Sequence, residues 1–301
     1  MTISFRGTYT ALVTPFAGDD AGAIDFAAYD ALLEHQIAGG ITGVVPVGTT
    51  GESPTLTEAE IEALFARTVA TVGGRAQVVA GCGSNSTAHA IHLVKIAEKA
   101  GVDAVMVVVP YYNKPTQEGL YRHYVAVAAA TGLPVVLYNI PGRSSVDLLP
   151  ETLERIAATA KNVVATKEAT GNVLRAQEIG RRMGAGMAIL SGDDGLTLPM
   201  TAVGGSGVIS VTSNVLPGAV VAATKLGLDG DFPAALAAHR KLLPVHEVMF
   251  VEANPGPAKY ALSRRGIGQN TVRLPLAPIS EGAAAKVDAV LSAYASQAGT
   301  V

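Results

Sequence analysis

The 301-residue sequence contains a single cysteine, Cys82, and no tryptophan. One cysteine cannot form an intrachain disulfide and gives no pair of metal-binding thiolates, so we interpret it as a small buried apolar residue in the segment VVAGCGS. Among the six histidines, His89 and His92 lie three residues apart and the other four are scattered. The sequence therefore excludes a disulfide scaffold and predicts no metal cluster.

An excess of one charge and long hydrophobic runs are missing as well. The 22 basic and 25 acidic residues give a net charge of -3, and no run of about 18 apolar residues occurs. Without a basic excess, the chain is poorly suited to nucleic acid or to an acidic membrane surface. The first residues, MTISFRGTYTALVTPF, lack the pattern of a signal peptide. We therefore expect a cytoplasmic protein with no nucleic-acid or membrane partner.

The chain is rich in apolar residues, which make up 49% of it and fall into short, regularly spaced runs. Runs such as AVMVVVP indicate strands buried on both faces, which is typical of parallel strands covered by helices. Segments with helical periodicity separate the runs, and glycines follow several of these segments. The eight runs are 9–15, 43–48, 77–83, 104–110, 134–140, 163–167, 188–192 and 207–211.

Eight strand–helix units predict an α/β protein with a (β/α)8 TIM barrel. A dinucleotide-binding fold would place Gly-x-Gly-x-x-Gly after the first strand, but TPFAGDDAG stands there. After about residue 225 no ninth strand is indicated, and FPAALAAHRKLLPVHEVMF and AAAKVDAVLSAYASQ are predicted to be helices. We expect a catalytic barrel over residues 1–225 and a helical extension over 226–301, packed on the barrel or on another subunit.

The ends of the predicted strands deliver a lysine, an arginine and several hydroxyl groups to one mouth of the barrel, where the chemistry of such folds gathers. Taken alone, Lys167 would be expected to reach solvent or to pair with Glu168. Together, these groups favour a site in which a neutral lysine amine attacks a ketone to form a protonated imine. Burial or a neighbouring cation would lower the pKa of the lysine, and the hydroxyls would relay protons. The residues are Thr49, Thr50, Tyr111, Tyr112, Tyr138, Arg143 and Lys167.

Six motifs resemble those of the 4-hydroxy-tetrahydrodipicolinate synthase (dihydrodipicolinate synthase) family, in the superfamily of pyruvate-dependent class I aldolases. They are VGTTGES, PYYNKPTQEGLYRHY, LYNIPGRS, KEATGN, LSGDD and GVISVTSN, and the resemblance covers essentially the whole chain. It implies condensation of pyruvate with L-aspartate 4-semialdehyde to give 4-hydroxy-tetrahydrodipicolinate, the first committed step of diaminopimelate and lysine biosynthesis. It also implies that no cofactor is needed and that the chain forms a homotetramer, a dimer of dimers.

The resemblance further implies individual roles. Lys167 would form the imine with pyruvate, and Tyr138 would donate and accept the protons. Thr49 would link Tyr138 to Tyr112 in a hydroxyl relay, with Tyr112 reaching into the neighbouring subunit's site. Arg143 would bind the carboxylate of the semialdehyde. The remaining substrate-binding positions would be Thr50, Gly192 and Ile209.

Arg143 separates two interpretations within the superfamily. N-acetylneuraminate lyases and sugar-acid aldolases share the tyrosine and the lysine but act on polyhydroxylated partners, and they generally lack this Pro-x-Arg arrangement. An arginine fork suits a carboxylate better than sugar hydroxyls, so the synthase is preferred and the lyase is the alternative. A metal-dependent barrel aldolase and a catalytically silent binding protein are two further classes.

The resemblance also points to a regulatory region. Family members that lysine inhibits bind it at the dimer interface, and the inhibited enzymes carry a glutamate at the position of His89. An imidazole cannot replace a carboxylate that faces an ammonium group, so we expect weak or absent lysine inhibition, with Glu58 as the one neighbour that could compensate. The possible allosteric residues are Ser53, Asn85, His89 and Tyr111.

Overall fold

Eight parallel strands close into a barrel in the computed structural model, which describes residues 3–18 and 22–298. The predicted (β/α)8 fold is confirmed, and each predicted run coincides with one strand. Most strands end before the predicted run does, because the last residues of the run already belong to the loop that follows. The strands, β1 to β8, are Gly7–Ala11, Gly43–Val45, Gln77–Gly81, Ala104–Val108, Val135–Asn139, Val163–Glu168, Ala188–Ser191 and Gly207–Ser210.

Helices cover the outside of the barrel and continue past its last strand. At the start of the second helix, the backbone N–H of Thr57 donates to Glu60, and the Glu60 N–H donates back to the Thr57 hydroxyl, which is a capping box. The helices, α1 to α12, are Phe26–Ala38, Glu58–Val72, Thr87–Ala100, Gln117–Ala129, Pro141–Ser144, Pro150–Thr159, Val173–Met183, Thr197–Ala202, Pro217–Leu228, Phe232–Val248, Gly256–Ser263 and Glu281–Ala298. Among the helices described, none is long and apolar enough to cross a membrane.

The strands bury both of their faces, as their continuous apolar runs predict. One face points into the barrel, where Tyr9, Met106, Tyr138, Leu190 and Ile209 form part of an inner core. The other face packs against the helices in a larger outer core. Because successive side chains of a strand alternate between these faces, adjacent residues serve different cores.

The helices after the barrel include both predicted segments. Helix α10 packs against α9 and α12, and α11 packs against α12 and the turn Thr212–Asn214 that follows β8. The C-terminal helices therefore reach the end of the barrel at which the strands finish. The predicted domain boundary at residue 225 falls inside α9.

Candidate active site

Lys167 lies near the end of β6, where its backbone pairs with Tyr138 of β5 and Leu190 of β7. The side chain is buried, and burial lowers the pKa of its amine to about 7; the Arg143 charge acts in the same direction and Asp194 opposes it. Glu168 does not pair with the lysine: its carboxylate accepts from the Thr170 N–H at 2.8 Å. A large share of the amine is therefore neutral near pH 7.

The ring of Tyr138 lies next to this amine. The Lys167 Nζ lies 4.0 Å from the centre of the tyrosine ring. Burial raises the pKa of Tyr138 to about 12, while the Arg143 charge and the Thr49 side chain lower it. The phenol is therefore neutral at ordinary pH and can act as a proton donor beside the lysine.

Gly192, just after β7, leaves room for the lysine side chain. A Cβ at this position would lie 3.1 Å from the Lys167 Cε and 2.6 Å from the Ala169 Cβ. Ile209 of β8 is buried in the inner core, among the same residues as Tyr138. Gly192 therefore borders the lysine side chain, and Ile209 belongs to the same inner core as Tyr138.

Two cavities open at this mouth, and Ile140 borders both. One, of about 220 Å³, is lined by Thr49, Ser53, Tyr111 and Arg143 together with five other residues. The other, of about 330 Å³, lies on the Gly192 side. A narrower cavity of about 30 Å³ lies deeper and is lined by both Thr49 and Tyr138. The residues lining these cavities thus supply a phenol, hydroxyls and a guanidinium at the mouth where Lys167 lies.

Thr50 is buried, and its hydroxyl accepts a hydrogen bond of 3.0 Å from the Asn254 side-chain amide. A hydroxyl that accepts in this way keeps its own hydrogen for another partner. Asn254 belongs to the segment between α10 and α11, so the C-terminal region takes part in shaping the mouth.

Other predicted residues lie apart from the lysine. Tyr112 is 88% exposed and has a φ of 75°. His89, on α3, points its Nε2 toward Glu58 at 3.8 Å, and His92 approaches the same carboxylate at 3.2 Å. Asn85 accepts a bond from the Asn113 amide through its backbone carbonyl. Within residues 3–18 and 22–298, no group of three or more His, Cys, Asp or Glu is placed to hold a metal ion.

Comparison with known proteins identifies the family. Residues 4–294 match the Dihydrodipicolinate synthetase family. The chain belongs to this family. The 4-hydroxy-tetrahydrodipicolinate synthase of Sorangium cellulosum is 56% identical over 279 residues, which are 93% of this chain and 92% of that protein.

Solved structures agree with the family assignment. The 4-hydroxy-tetrahydrodipicolinate synthase from Methylacidiphilum fumariolicum SolV has a TM-score of 0.94 at 47% identity, covering 97% of this chain and 96% of that one. The chloride-inhibited dihydrodipicolinate synthase from Acinetobacter baumannii, complexed with pyruvate, has a TM-score of 0.94 at 38% identity, covering 97% and 99%. The resemblance read from the motifs is confirmed.

In this member of the dihydrodipicolinate synthetase family, sequence reasoning missed the partner of Glu52. Glu52 follows the two mouth threonines, and its buried carboxylate pairs with the buried amine of Lys259 on α11. It also accepts from the Arg273 backbone N–H at 2.9 Å. The signal that could have found the pair is Lys259 itself, a lone cation in the apolar segment GPAKYALS.

Proposed function

We propose that this chain catalyses the condensation of pyruvate with L-aspartate 4-semialdehyde to give 4-hydroxy-tetrahydrodipicolinate, in diaminopimelate and lysine biosynthesis. The observation that carries the proposal is the buried amine of Lys167, whose pKa is about 7 and which lies over the Tyr138 ring. The family and the named relatives support the synthase over the lyase alternative.

In the proposed reaction the neutral Lys167 amine attacks C2 of pyruvate, and the carbonyl oxygen leaves as water. The positive imine nitrogen draws electrons, so C3 loses a proton and an enamine forms. C3 then attacks the aldehyde carbon, whose oxygen takes up a proton. The amine of the semialdehyde finally attacks the imine carbon and releases Lys167 as the ring closes. The lysine itself supplies the electron sink, so no cofactor is required.

The proton transfers fall to hydroxyl groups, which move protons without adding charge to a buried site. Tyr138 donates and accepts protons as the imine forms. Thr49, which borders the same deep cavity, continues the proton relay. Tyr112 completes it from a neighbouring subunit. Its 88% exposure in the single chain supports a role that a second copy is needed to fulfil.

Substrate carboxylates are bound by two different groups. Thr50, whose hydroxyl accepts from Asn254, donates its own hydrogen to the pyruvate carboxylate, in space bordered by Gly192 and Ile209. Arg143, exposed at the cavity of about 220 Å³, binds the carboxylate of the semialdehyde, because a guanidinium forms paired hydrogen bonds with that group.

The active assembly is a homotetramer, a dimer of dimers working in the cytoplasm, with residues 226–301 forming a helical extension on the barrel. Mixing two inactive variants tests the shared site. K167M chains keep Tyr112, and Y112A chains keep Lys167, so a mixed dimer contains one intact site. We expect activity to return on mixing by subunit exchange; if it stays absent while mixed dimers form, Tyr112 does not serve the neighbouring site.

The imine is tested by borohydride reduction of the protein with pyruvate, followed by intact mass and peptide mapping. We expect one stable adduct, on Lys167 and not on Lys259, the other buried lysine. Folded protein that gives no adduct at saturating pyruvate would contradict the proposal. Release of cyclised product on adding L-aspartate 4-semialdehyde, but not on adding N-acetylmannosamine, then distinguishes the synthase from the lyase.

Lysine inhibition is expected to be weak or absent. The Glu58 carboxylate, which could replace the missing glutamate, already lies beside the two imidazoles of His89 and His92. Titrating the initial rate with lysine measures the effect, and the variant H89E is the matched comparison, expected to gain inhibition. Strong inhibition of the unaltered protein at sub-millimolar lysine would show this expectation to be wrong.

A further inference from the structure

A small cavity lies between α8, α9 and α10 and is bordered by Asp194, Thr224, His239 and His246. Its volume is about 20 Å³, which is room for one water molecule. Two polar atoms are buried there without a hydrogen-bond partner among the residues described: Asp194 Oδ1 and Thr224 Oγ1. Each of the two residues is 2% exposed. Leaving a carboxylate oxygen and a hydroxyl unpaired costs free energy, and one shared water satisfies both.

The other carboxylate oxygen of Asp194 ties this cavity to the mouth of the barrel. Oδ2 accepts hydrogen bonds from the backbone N–H groups of Val211 at 2.9 Å and Thr212 at 3.2 Å. These residues directly follow β8, two and three positions after Ile209. Asp194 therefore links the loop after β7 to the loop after β8, and it lies two residues after Gly192, where a Cβ would lie 3.1 Å from the Lys167 Cε.

Among the charged residues that the structure describes around Lys167, Asp194 supplies negative charge. Arg143 is positive, and Tyr138 is neutral. Glu168 directs its carboxylate to the Thr170 N–H. Asp194 acts on Lys167 through its charge and opposes the effects of burial and Arg143.

Three titratable groups face Asp194 from its surroundings. Asp193 precedes it, and His246 and His239 approach from α10. Burial lowers the pKa of both histidines, so they are neutral near pH 7. The His246 Nδ1 lies 2.9 Å from the Thr212 hydroxyl. Neutral imidazoles leave the negative charge of Asp194 available to Lys167.

We propose that the cavity binds a single water molecule, which donates to Asp194 Oδ1 and bonds to the Thr224 hydroxyl. Held in this way, Asp194 is a positioning residue that stabilises the positive charge of the Lys167 imine. This inference rests on the proposed function. Two backbone N–H donors and one water hold the carboxylate in place. In the low dielectric of the barrel interior, a nearby negative charge then stabilises the iminium.

High-resolution crystal structures test the site directly. We expect one ordered water within hydrogen-bond distance of Asp194 Oδ1 and Thr224 Oγ1 in the unaltered protein and in T224S. T224V keeps the shape of the side chain but removes the hydroxyl, and should lose the water or hold it at reduced occupancy. A cavity without density for a water in the unaltered protein would overturn the inference.

The pH dependence of borohydride trapping with pyruvate tests the role of the charge. In D194N the pKa of Lys167 falls, so the acid-side midpoint of the trapping rate should move down by about one pH unit, and half-maximal trapping should need roughly tenfold more pyruvate. D193N removes a negative charge from the preceding residue and should leave the midpoint of the trapping rate unchanged. T224V should shift it less than D194N does, and T224S should not shift it.

The outcomes separate the two proposals. If the unaltered protein forms no adduct, the proposed function fails. If it forms the adduct but folded D194N keeps the original midpoint, only the role of Asp194 fails. Circular dichroism establishes folding, and if D194N does not fold, an unshifted midpoint in T224V relative to T224S would equally overturn the inference.

Discussion

Two lysines of this chain are buried, and their amines have different partners. Lys259 donates to the Glu52 carboxylate and, at 2.7 Å, to the Thr271 carbonyl, and its amine lies 4.2 Å from the centre of the Phe16 ring. Burial lowers its pKa to about 8, with Glu52 opposing the shift. This amine is held in one place by an ion pair and a carbonyl.

The amine of Lys167 lies over the Tyr138 ring, and among the residues described no carboxylate is bonded to it. Its pKa, about 7, is the lower of the two although both side chains are almost completely buried. The difference teaches that burial alone does not make a lysine reactive. An amine held by a carboxylate stays charged and structural, whereas a buried amine without one is free to lose its proton and attack a carbonyl.

The largest expected effect comes from exchanging each lysine for methionine. K167M should lose the pyruvate adduct and at least about 10³-fold in turnover, because the substitution removes the amine that attacks pyruvate. Folded K259M should keep an adduct on Lys167. Turnover assays and intact mass after borohydride reduction measure this. An adduct on K167M, or none on folded K259M, would reverse the roles given to the two lysines.

The barrel could be predicted because its signals are local. Each apolar run of five to seven residues marks one strand, and Thr57 with Glu60 marks a helix start within four residues. The strand ends then follow from the fold, which is why Lys167 and Tyr138 could be placed at one mouth from sequence. The short antiparallel pair Phe16–Ala17 and Ala23–Ile24 was missed, since two-residue strands carry no periodic pattern.

The partners of the site residues could not be predicted, because they come from far along the chain. Lys259 lies 207 residues from Glu52, and Asn254 lies 204 residues from Thr50. Whether a given lysine finds a carboxylate depends on how the C-terminal helices pack on the barrel, and no local pattern contains that information. Local sequence therefore places Lys167 at the mouth but cannot tell that its amine lacks a carboxylate.

The next effect concerns stability. Removing one partner of the Glu52–Lys259 pair leaves a buried charge without compensation, so E52Q and K259M should each lower the free energy of unfolding by about 3–5 kcal/mol. The double variant E52Q/K259M should recover much of that loss. Denaturant unfolding of the four proteins measures the coupling. Additive effects of the two substitutions would mean that the pair does not act as a unit.

Because Glu52 lies two residues after Thr50, E52Q should also weaken pyruvate binding. We expect the KM for pyruvate to rise in E52Q more than kcat falls, since the loop that holds Thr50 loses its anchor on α11. K167M offers the contrasting case, in which the chemistry is lost and the loop is intact. An unchanged KM in a folded E52Q would limit the pair to stability.

The smallest effect is a change in how stability depends on pH, and its sign follows from the direction of the pKa shift. The folded-state pKa of Lys167 is about 7 against an ordinary value of 10.5, so between these values the unfolded chain binds more protons than the folded one. This lysine therefore makes the free energy of unfolding rise with pH across that window, by at most about 1.4 kcal/mol per pH unit. K167M should lose that slope. K259M should lose only the contribution of Lys259 to the slope, which begins above the Lys259 pKa of about 8. Urea unfolding from pH 7 to 10, at one protein concentration, measures the slope for both variants. Equal slopes in K167M and the unaltered protein would mean that the Lys167 amine is as solvated in the folded chain as in the unfolded one.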